Sequence, residues 1–411
     1  MTKTSQKIWQ WGLLTATETG QPLNPRNPAS TVWLHESNQV FDEEVAFQKR
    51  FEDPDTGIPI LRLTSQPCIN QNIYPEAQIS TPDGRQFIFA RSLPLSGHTT
   101  FWIADLETQA IRQITDEEGA SAPVVTPDGN WFYYSVGHTL KRMSSQTFER
   151  ETVFILPEEL AWVGGIRTVD YSGTRFLTAA RGPSGLYGVA RIDLVDQTVQ
   201  MIFEGKDVRN AHPQYSHNSA RKVLVQVNDG IVMDENDNIL RLVGENGASL
   251  FVMDDDGSNP VRLKLGFTHL LRIQGHQCWI GRENAVISAM HRREHTSFPW
   301  IQDCLMWASI DNPEPRIAGQ GEGFTHIHTT PDGEFWVSDC NRTAKIFIGS
   351  CKTGRYRLLC NSQATFGAAQ EAHPHPFFLG DGKTVGWNSD GSGIPHIYCA
   401  RIPEGFLTDL L

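Results

Sequence analysis

The chain has 411 residues, a formal net charge of -12 and a hydrophobic fraction of 39%, which is enough for a substantial core. The acidic balance and the absence of a basic stripe argue against a nucleic-acid partner, and no apolar run is long enough for a membrane span or a signal peptide. Seven scattered cysteines without a CxxC pair predict reduced thiols in a cytoplasmic protein, rather than a disulfide framework or a zinc knuckle.

A short turn followed by an apolar strand recurs along the chain. Its copies begin at Thr81, Thr126, Tyr171, Ser216, Ile280, Thr330 and Leu379, and the first four start 45 residues apart. Each turn contains Gly, Asn or Ser, which tight hairpins favour, and each is followed by aromatic or β-branched residues. A period of this length is typical of propeller blades.

Seven such units without a long amphipathic helix predict an all-β protein, a seven-bladed β-propeller, as one domain over residues 1–411. We expect the first 50 or so residues to form an extension that also lends a strand to close the last blade. The alternative, a β-sandwich with a second domain, is disfavoured because the repetition is regular over most of the chain.

The innermost strand of each blade lines the central channel, so the residues before each turn indicate what the channel contains. The position six residues before the turn aspartate or its equivalent forms a column with one member from each blade. From the first blade to the last, the column reads Ala77, Ala122, Arg167, His212, His276, His326 and His375. Four histidines here, in a chain with 14, predict a functional channel mouth.

The last blade adds more candidate ligands in the segment "QEAHPHPFF". Gln370 and His373 precede His375, and a proline after each histidine fixes an extended backbone. Three neutral imidazoles and an amide oxygen suit a divalent transition metal, so we predict His326, Gln370, His373 and His375 as ligands. His212 and His276 are either further ligands or acid–base groups.

Four segments resemble the oligogalacturonate lyases, which are cytoplasmic propeller enzymes of pectin degradation. They are "AHPQYS", "GHQCW", "HIHTTPDG" and "QEAHPHPFF". The resemblance implies Mn²⁺, or another divalent transition metal, held by the same three histidines and Gln370. It also implies β-elimination on an acidic oligosaccharide, with His276 as the base, although Gln277 stands where the family has an acidic residue.

One departure concerns an arginine that the family places near the substrate, where this chain has Ser249. Arg167, predicted as a catalytic residue, or Arg209 would then stabilise the negative charge. We assign His212, Arg209 and His328 to substrate binding, with His328 one sheet period from His326 on the same face. If neither arginine takes this task, the substrate is a different uronate oligosaccharide.

Two other functions remain open at this stage. A non-enzymatic TolB-like binding module would have a channel without the histidine column. A metal-dependent sugar hydrolase or isomerase on the same scaffold would call for paired carboxylates, and the column contains none. The sequence contains no motif that predicts an oligomeric state.

Overall fold

The computed structural model describes residues 31–34, 40–45, 49–92, 99–163, 168–245, 247–266, 271–292 and 302–411. These residues form seven antiparallel blades of a β-propeller, which confirms the predicted fold class. Among these residues helix is confined to two short 3₁₀ segments, Gln370–Ala372 and Thr408–Leu410. No helix in the described part of the chain is both long and apolar enough to cross a bilayer.

The first three blades follow one another along the chain, each from its innermost strand outward. Blade 1 contains Ile69–Asn72, Gln86–Ser92, Thr99–Asp105 and Ala110–Gln113, extended outward by Val40–Val45 and Thr31–Leu34. Blade 2 contains Ala120–Val125, Trp131–Val136, Thr139–Ser144 and Arg150–Ile155. Blade 3 contains the short inner segments Ala161–Trp162 and Thr168–Val169, then Arg175–Arg181, Tyr187–Asp193 and Thr198–Gly205.

The next three blades repeat the pattern. Blade 4 contains Gln214–Tyr215, Val223–Val227, Ser249–Met253 and Val261–Arg262, with a separate hairpin of Val232–Met233 and Ile239–Arg241. Blade 5 contains Leu271–Trp279, Ala285–Arg292, Cys304–Ser309 and Arg316–Gln320. Blade 6 contains Phe324–Thr329, Phe335–Cys340, Lys345–Ser350 and Tyr356–Asn361.

Blade 7 joins the two ends of the propeller. Its strands are Phe377–Phe378, Thr384–Ser389, His396–Arg401, Pro59–Arg62 and Lys49–Glu52. The strand from the N-terminal part pairs with the C-terminal one, with Leu61 opposite Cys399. Residues 1–30 lie outside the described residues, so the predicted role of the first 50 or so residues as an extension stays a prediction.

The apolar core lies between the blades. The described residues form seven hydrophobic clusters, and each cluster joins two adjacent blades. Blades 7 and 1 share one such cluster, in which Phe377 contacts Phe87 with their ring centroids 5.8 Å apart. All seven cysteines are buried and free, as the sequence predicted.

The repeated turns follow from local hydrogen bonding. In blade 1 the Thr81 hydroxyl donates to Asp83 at 2.6 Å, and the Gly84 N–H donates to the Thr81 carbonyl at 2.9 Å. Gly84 has a φ of +69°, and a Cβ there would lie 2.7 Å from Asp381, in the turn of blade 7. These turns therefore meet at one end of the channel, and the starts of the innermost strands lie at the other end.

Candidate functional site

Three imidazoles meet at the channel mouth opposite the turns. His326 comes from the innermost strand of blade 6, and His373 and His375 come from the segment that leads into blade 7. Each offers one ring nitrogen, and these three nitrogens lie within 4.8 Å of one another. The geometry therefore suits a single metal ion held by the three histidines that the sequence predicted.

The hydrogen bonds of these rings leave nitrogens free for a metal. His373 bonds the Gly367 carbonyl through Nε2 at 2.9 Å, and its buried Nδ1 has no hydrogen-bond partner among the described residues. The buried Nε2 of His375 likewise has none there. An orphaned buried nitrogen is costly unless something binds it, and imidazole nitrogen suits Mn²⁺ and related divalent ions. The residues thus fit the implied metal.

A buried carboxylate orients the third ring. Asp339, on the second strand of blade 6, accepts hydrogen bonds from both Nδ1 and the backbone N–H of His326, each at 2.8 Å. This bond leaves Nε2 of His326 as the nitrogen that could bind a metal, in the carboxylate–histidine arrangement common around metals. Burial and the neighbouring imidazoles hold the pKa of His326 and of His375 well below the usual value, so both rings are neutral.

The column positions lie where the innermost strands are irregular. The register of the innermost strand shifts across His326 in blade 6 and across His276 in blade 5, as in a β-bulge. Ala122, His212 and His375 have φ angles of 49°, 43° and 46°, in the left-handed region that costs an ordinary residue energy. Bulges of this kind re-aim side chains, here towards the channel mouth.

Two asparagine side chains hold the strained segment of blade 7. Asn72, from blade 1, donates to the carbonyl of His375, and Asn388 donates to the carbonyl of His373. The Asn388 N–H also donates to the Pro374 carbonyl at 3.0 Å. The two histidines of this segment are therefore fixed from both neighbouring strands.

His276 lies beside the three-histidine group without belonging to it. Its half-buried ring is 4.5 Å from the ring of His326, centroid to centroid. Burial and four surrounding imidazoles hold its pKa well below the usual value. A neutral imidazole at this position can accept a proton, which is the property that a general base needs.

Tyr74 was missed by the sequence analysis. It lies between the first two strands of blade 1, Ile69–Asn72 and Gln86–Ser92, and its hydroxyl is 2.6 Å from Nδ1 of His276. Burial, with the nearby carboxylates of Glu76 and Asp339, raises its pKa well above the usual value, so the phenol keeps its proton. One signal was present: like His373 and His375, Tyr74 precedes a proline.

Glu76 was also missed, and it pairs with His212. Nδ1 of His212 lies 2.7 Å from the buried Glu76 carboxylate, and the Gln277 amide donates to the other carboxylate oxygen at 3.5 Å. Burial lowers the pKa of His212, but the Glu76 carboxylate raises it by more, so it lies above the usual value. Burial also raises the pKa of Glu76, so each member of the pair loses its proton at a higher pH than usual.

A cavity of about 430 Å³ adjoins this pair. Tyr74, Arg209, Asn210 and His212 line it. The Arg209 guanidinium lies 4.6 Å from the Tyr187 ring centroid, a cation–π contact that holds it in place. Arg209 and His212, two residues predicted to bind substrate, thus face one cavity next to the three-histidine group.

His328 lies apart from Arg209 and His212, the other residues predicted to bind substrate, and its role in substrate binding stays a prediction. Its Nδ1 accepts a hydrogen bond from the Phe378 N–H at 3.1 Å, and it lines a different cavity of about 400 Å³, with Trp279 and the turn prolines Pro82 and Pro331. The prediction assumed regular alternation from His326 to His328, but His326 lies in the bulge, where alternation fails.

Three positions named in the sequence lie outside the groups described so far: Arg167, Gln370 and Ser249. Arg167 lies outside the described residues. Gln370 begins a short 3₁₀ helix with an exposed side chain, and its carbonyl accepts from the His373 N–H at 3.0 Å; its role as a ligand stays a prediction. Ser249 is buried, donates to Asp229, and accepts from Arg262 at 2.6 Å. An arginine from the outer strand therefore contacts the position where the family arginine is missing.

Comparisons with known proteins find similarity to curated lyases. An oligogalacturonate lyase of Dickeya dadantii (strain 3937) is 21% identical over 403 residues, which cover 86% of this chain and 96% of the relative. An oligogalacturonide lyase of Pectobacterium atrosepticum is also 21% identical, with the same coverage. The chain is a relative of the oligogalacturonate lyases. No protein-family model matches it.

The fold of the oligogalacturonate lyases extends over most of this chain. A solved structure of an oligogalacturonate lyase in complex with manganese superposes with a TM-score of 0.73 at 18% identity, covering 89% of this chain and 98% of that one. Another, from Vibrio parahaemolyticus, gives 0.72 at 20% identity. The predicted resemblance to this family of propellers is thus confirmed.

Proposed function

We propose that the chain is a metal-dependent lyase that cleaves oligogalacturonate, or a related uronate oligosaccharide, by β-elimination. Its similarity to two curated lyases of this specificity supports the reaction class, a carbon–oxygen lyase, and the acidic oligosaccharide substrate. The similar structure in complex with manganese supports Mn²⁺ as the metal.

The metal would be held by His326, His373 and His375, with Gln370 as a fourth ligand. The three imidazole nitrogens lie close enough to share one ion. A divalent cation bound there would neutralise the uronate carboxylate and make the proton on C5 more acidic.

His276 is the proposed base. Its neutral ring would accept the C5 proton, the electrons of the C5–H bond would form the C4–C5 double bond, and the C4–O bond would break. The departing oxygen takes a proton and leaves as the hydroxyl of the shortened chain. The other product carries an unsaturated uronate at its new end.

Positive charge at the mouth matches an acidic substrate. Arg209 and His212 line the neighbouring cavity, and the Glu76 carboxylate favours the protonated form of His212. Both would bind carboxylates of the oligosaccharide. Arg167 remains proposed for charge stabilisation during the reaction.

One observation carries the proposal: a neutral imidazole, His276, lies directly beside three imidazoles that can share a metal. A TolB-like binding module has no use for a base at this position. We also propose a cytoplasmic location, which the seven free cysteines support.

The test is to mix Mn²⁺-loaded protein with several oligouronates and follow the ultraviolet absorbance of the unsaturated product. We expect a rise with oligogalacturonate that His276→Ala reduces by about 100-fold or more, as for loss of a general base. His138→Ala, an exposed histidine of blade 2, is the matched control and should keep full activity.

The substrate panel separates two outcomes. A rise only with another oligouronate would support the mechanism and identify a different substrate. Ser249, which stands in place of the family arginine, would then explain the changed specificity. No unsaturated product from any oligouronate, with metal bound, would overturn the proposal.

A further inference from the structure

Tyr74 occupies the centre of the imidazole cluster. Its ring centroid lies 5.2 Å from that of His375, 5.8 Å from His212, 6.0 Å from His326 and 6.3 Å from His276. Packing on four sides holds the phenol in place. The hydroxyl has one hydrogen-bond partner among the described residues, Nδ1 of His276 at 2.6 Å.

This single bond allows two arrangements of hydrogen. In the first, the phenol O–H donates to Nδ1 of His276, so the neutral ring carries its hydrogen on Nε2. In the second, Nδ1–H donates to the phenol oxygen, and Nε2 carries a lone pair. Only the second leaves a nitrogen that can accept a proton from a substrate while the hydrogen bond to Tyr74 stays intact.

We propose that Tyr74 is the positioning residue of His276: its oxygen accepts from Nδ1–H and thereby fixes the ring as a base at Nε2. The inference rests on the proposed function. It follows the general rule that the partner of one imidazole nitrogen decides the chemistry of the other.

The same arrangement gives the phenol a second role. Its O–H, released from His276, is free to donate into the cavity of about 430 Å³ that Tyr74 lines with Arg209, Asn210 and His212. A hydroxyl or carboxylate oxygen of a uronate is the acceptor that this donor suits. Tyr74 would thus connect the base with the sugar that the cavity holds.

The decisive measurement is the tautomer of His276 in metal-free protein, read from ¹⁵N–¹H spectra of histidine-labelled samples. His276→Ala assigns the signal. We expect hydrogen on Nδ1 in the natural chain. In Tyr74→Phe, which keeps the packed ring and removes the oxygen, we expect the Nε2–H form to appear. Hydrogen on Nε2 in the natural chain would overturn the proposal.

Kinetics provide the second readout. Tyr74→Phe should lower kcat by about 10- to 100-fold, the usual cost of losing the partner of a functional histidine, while KM changes much less. Tyr134→Phe, which removes a buried hydroxyl that bonds Glu117 in blade 2, is the matched control. An unchanged kcat in Tyr74→Phe would contradict the inference.

The two proposals fail in different ways. Unsaturated product together with Nε2–H on His276 would leave the lyase activity standing and remove the role of Tyr74. Nδ1–H on His276 without product from any oligouronate would remove the lyase activity instead. Metal titration of Tyr74→Phe verifies that the three-histidine group is intact.

Discussion

The two sides of the channel use the same repeat position differently. In blades 5, 6 and 7 the column holds His276, His326 and His375, whereas in blades 1 and 2 it holds Ala77 and Ala122. The cavity of about 430 Å³ opens on the alanine side. Its lining includes six small side chains: Ala77, Ala90, Ala120, Ala122, Ala179 and Ala211.

The two sides therefore suit different tasks, whereas a symmetric ring would present the same side chain in every blade. In the proposed function the histidine side would supply nitrogen ligands and a base, and the alanine side would supply room for the substrate. One polar group of this cavity, His212, comes from the column, whereas Tyr74 and Arg209 reach the cavity from connecting segments. The comparison predicts that substitutions on the two sides affect different constants.

The largest effect is expected on the histidine side. His373→Ala removes one of three nitrogens and should weaken Mn²⁺ binding by about 100-fold or more, since even partners of ligands contribute 10- to 100-fold. Activity should fall in parallel and recover partly at high Mn²⁺. Calorimetric titration with Mn²⁺ measures the first effect, and His138→Ala serves again as the control. Unchanged Mn²⁺ affinity would remove His373 from the ligand set.

A smaller effect is expected on the alanine side. Ala122→Phe fills part of the cavity at a position with positive φ, which Phe148 and Phe366 also adopt in this chain. KM should rise by about tenfold from lost contacts with one sugar, while Mn²⁺ affinity stays the same. If Mn²⁺ affinity falls instead and KM does not change, the two sides are not separate in function.

The smallest effect concerns the buried pair beside the cavity. Glu76→Gln removes the carboxylate that favours the charged form of His212, so KM should rise roughly fivefold, in line with a modest charge-assisted bond. Adding Gln277→Glu, whose side chain already contacts Glu76, should restore much of the affinity. A KM unchanged by Glu76→Gln would show that His212 binds no carboxylate.

The same pair predicts a pH dependence of stability. The pKa values of both Glu76 and His212 are raised in the folded state, so the folded protein holds more protons at this pair than the unfolded chain. Their contribution to the free energy of unfolding therefore falls as pH rises above about 4.3 for Glu76 and about 6.5 for His212. Urea unfolding should show a weaker decline in Glu76→Gln than in the natural chain.

The sequence predicted the features that repeat. Turn residues such as Gly84 recur because each blade needs the same backbone conformation there. The column could be aligned because its position lies the same number of residues before the turn in every blade. His276, His326 and His375 were found in this way, and His373 was found from the segment beside His375. Residues that bond these histidines but do not recur from blade to blade were missed. Tyr74 lies 202 residues from His276 in the chain, and Asp339 contacts His326 from the next strand.

The bulges explain where His328 lies. A strict two-residue alternation placed His328 with His326, but the innermost strand shifts register before His328, which lines the cavity of about 400 Å³ without His326. A sequence without aligned relatives gives no sign of where such a shift falls. The exact geometry of the mouth therefore had to come from the structure.

The closure of the ring also passes through the site. Blade 7 carries His373 and His375 and is completed by the strand Pro59–Arg62. The side-chain amide of Asn72, from blade 1, donates a hydrogen bond to the His375 carbonyl. The two sides of this seam, Asn72 and His375, lie 303 residues apart in the chain. The mouth is thus assembled only when blade 7 has closed the ring against blade 1, so ring closure and formation of the site coincide in folding.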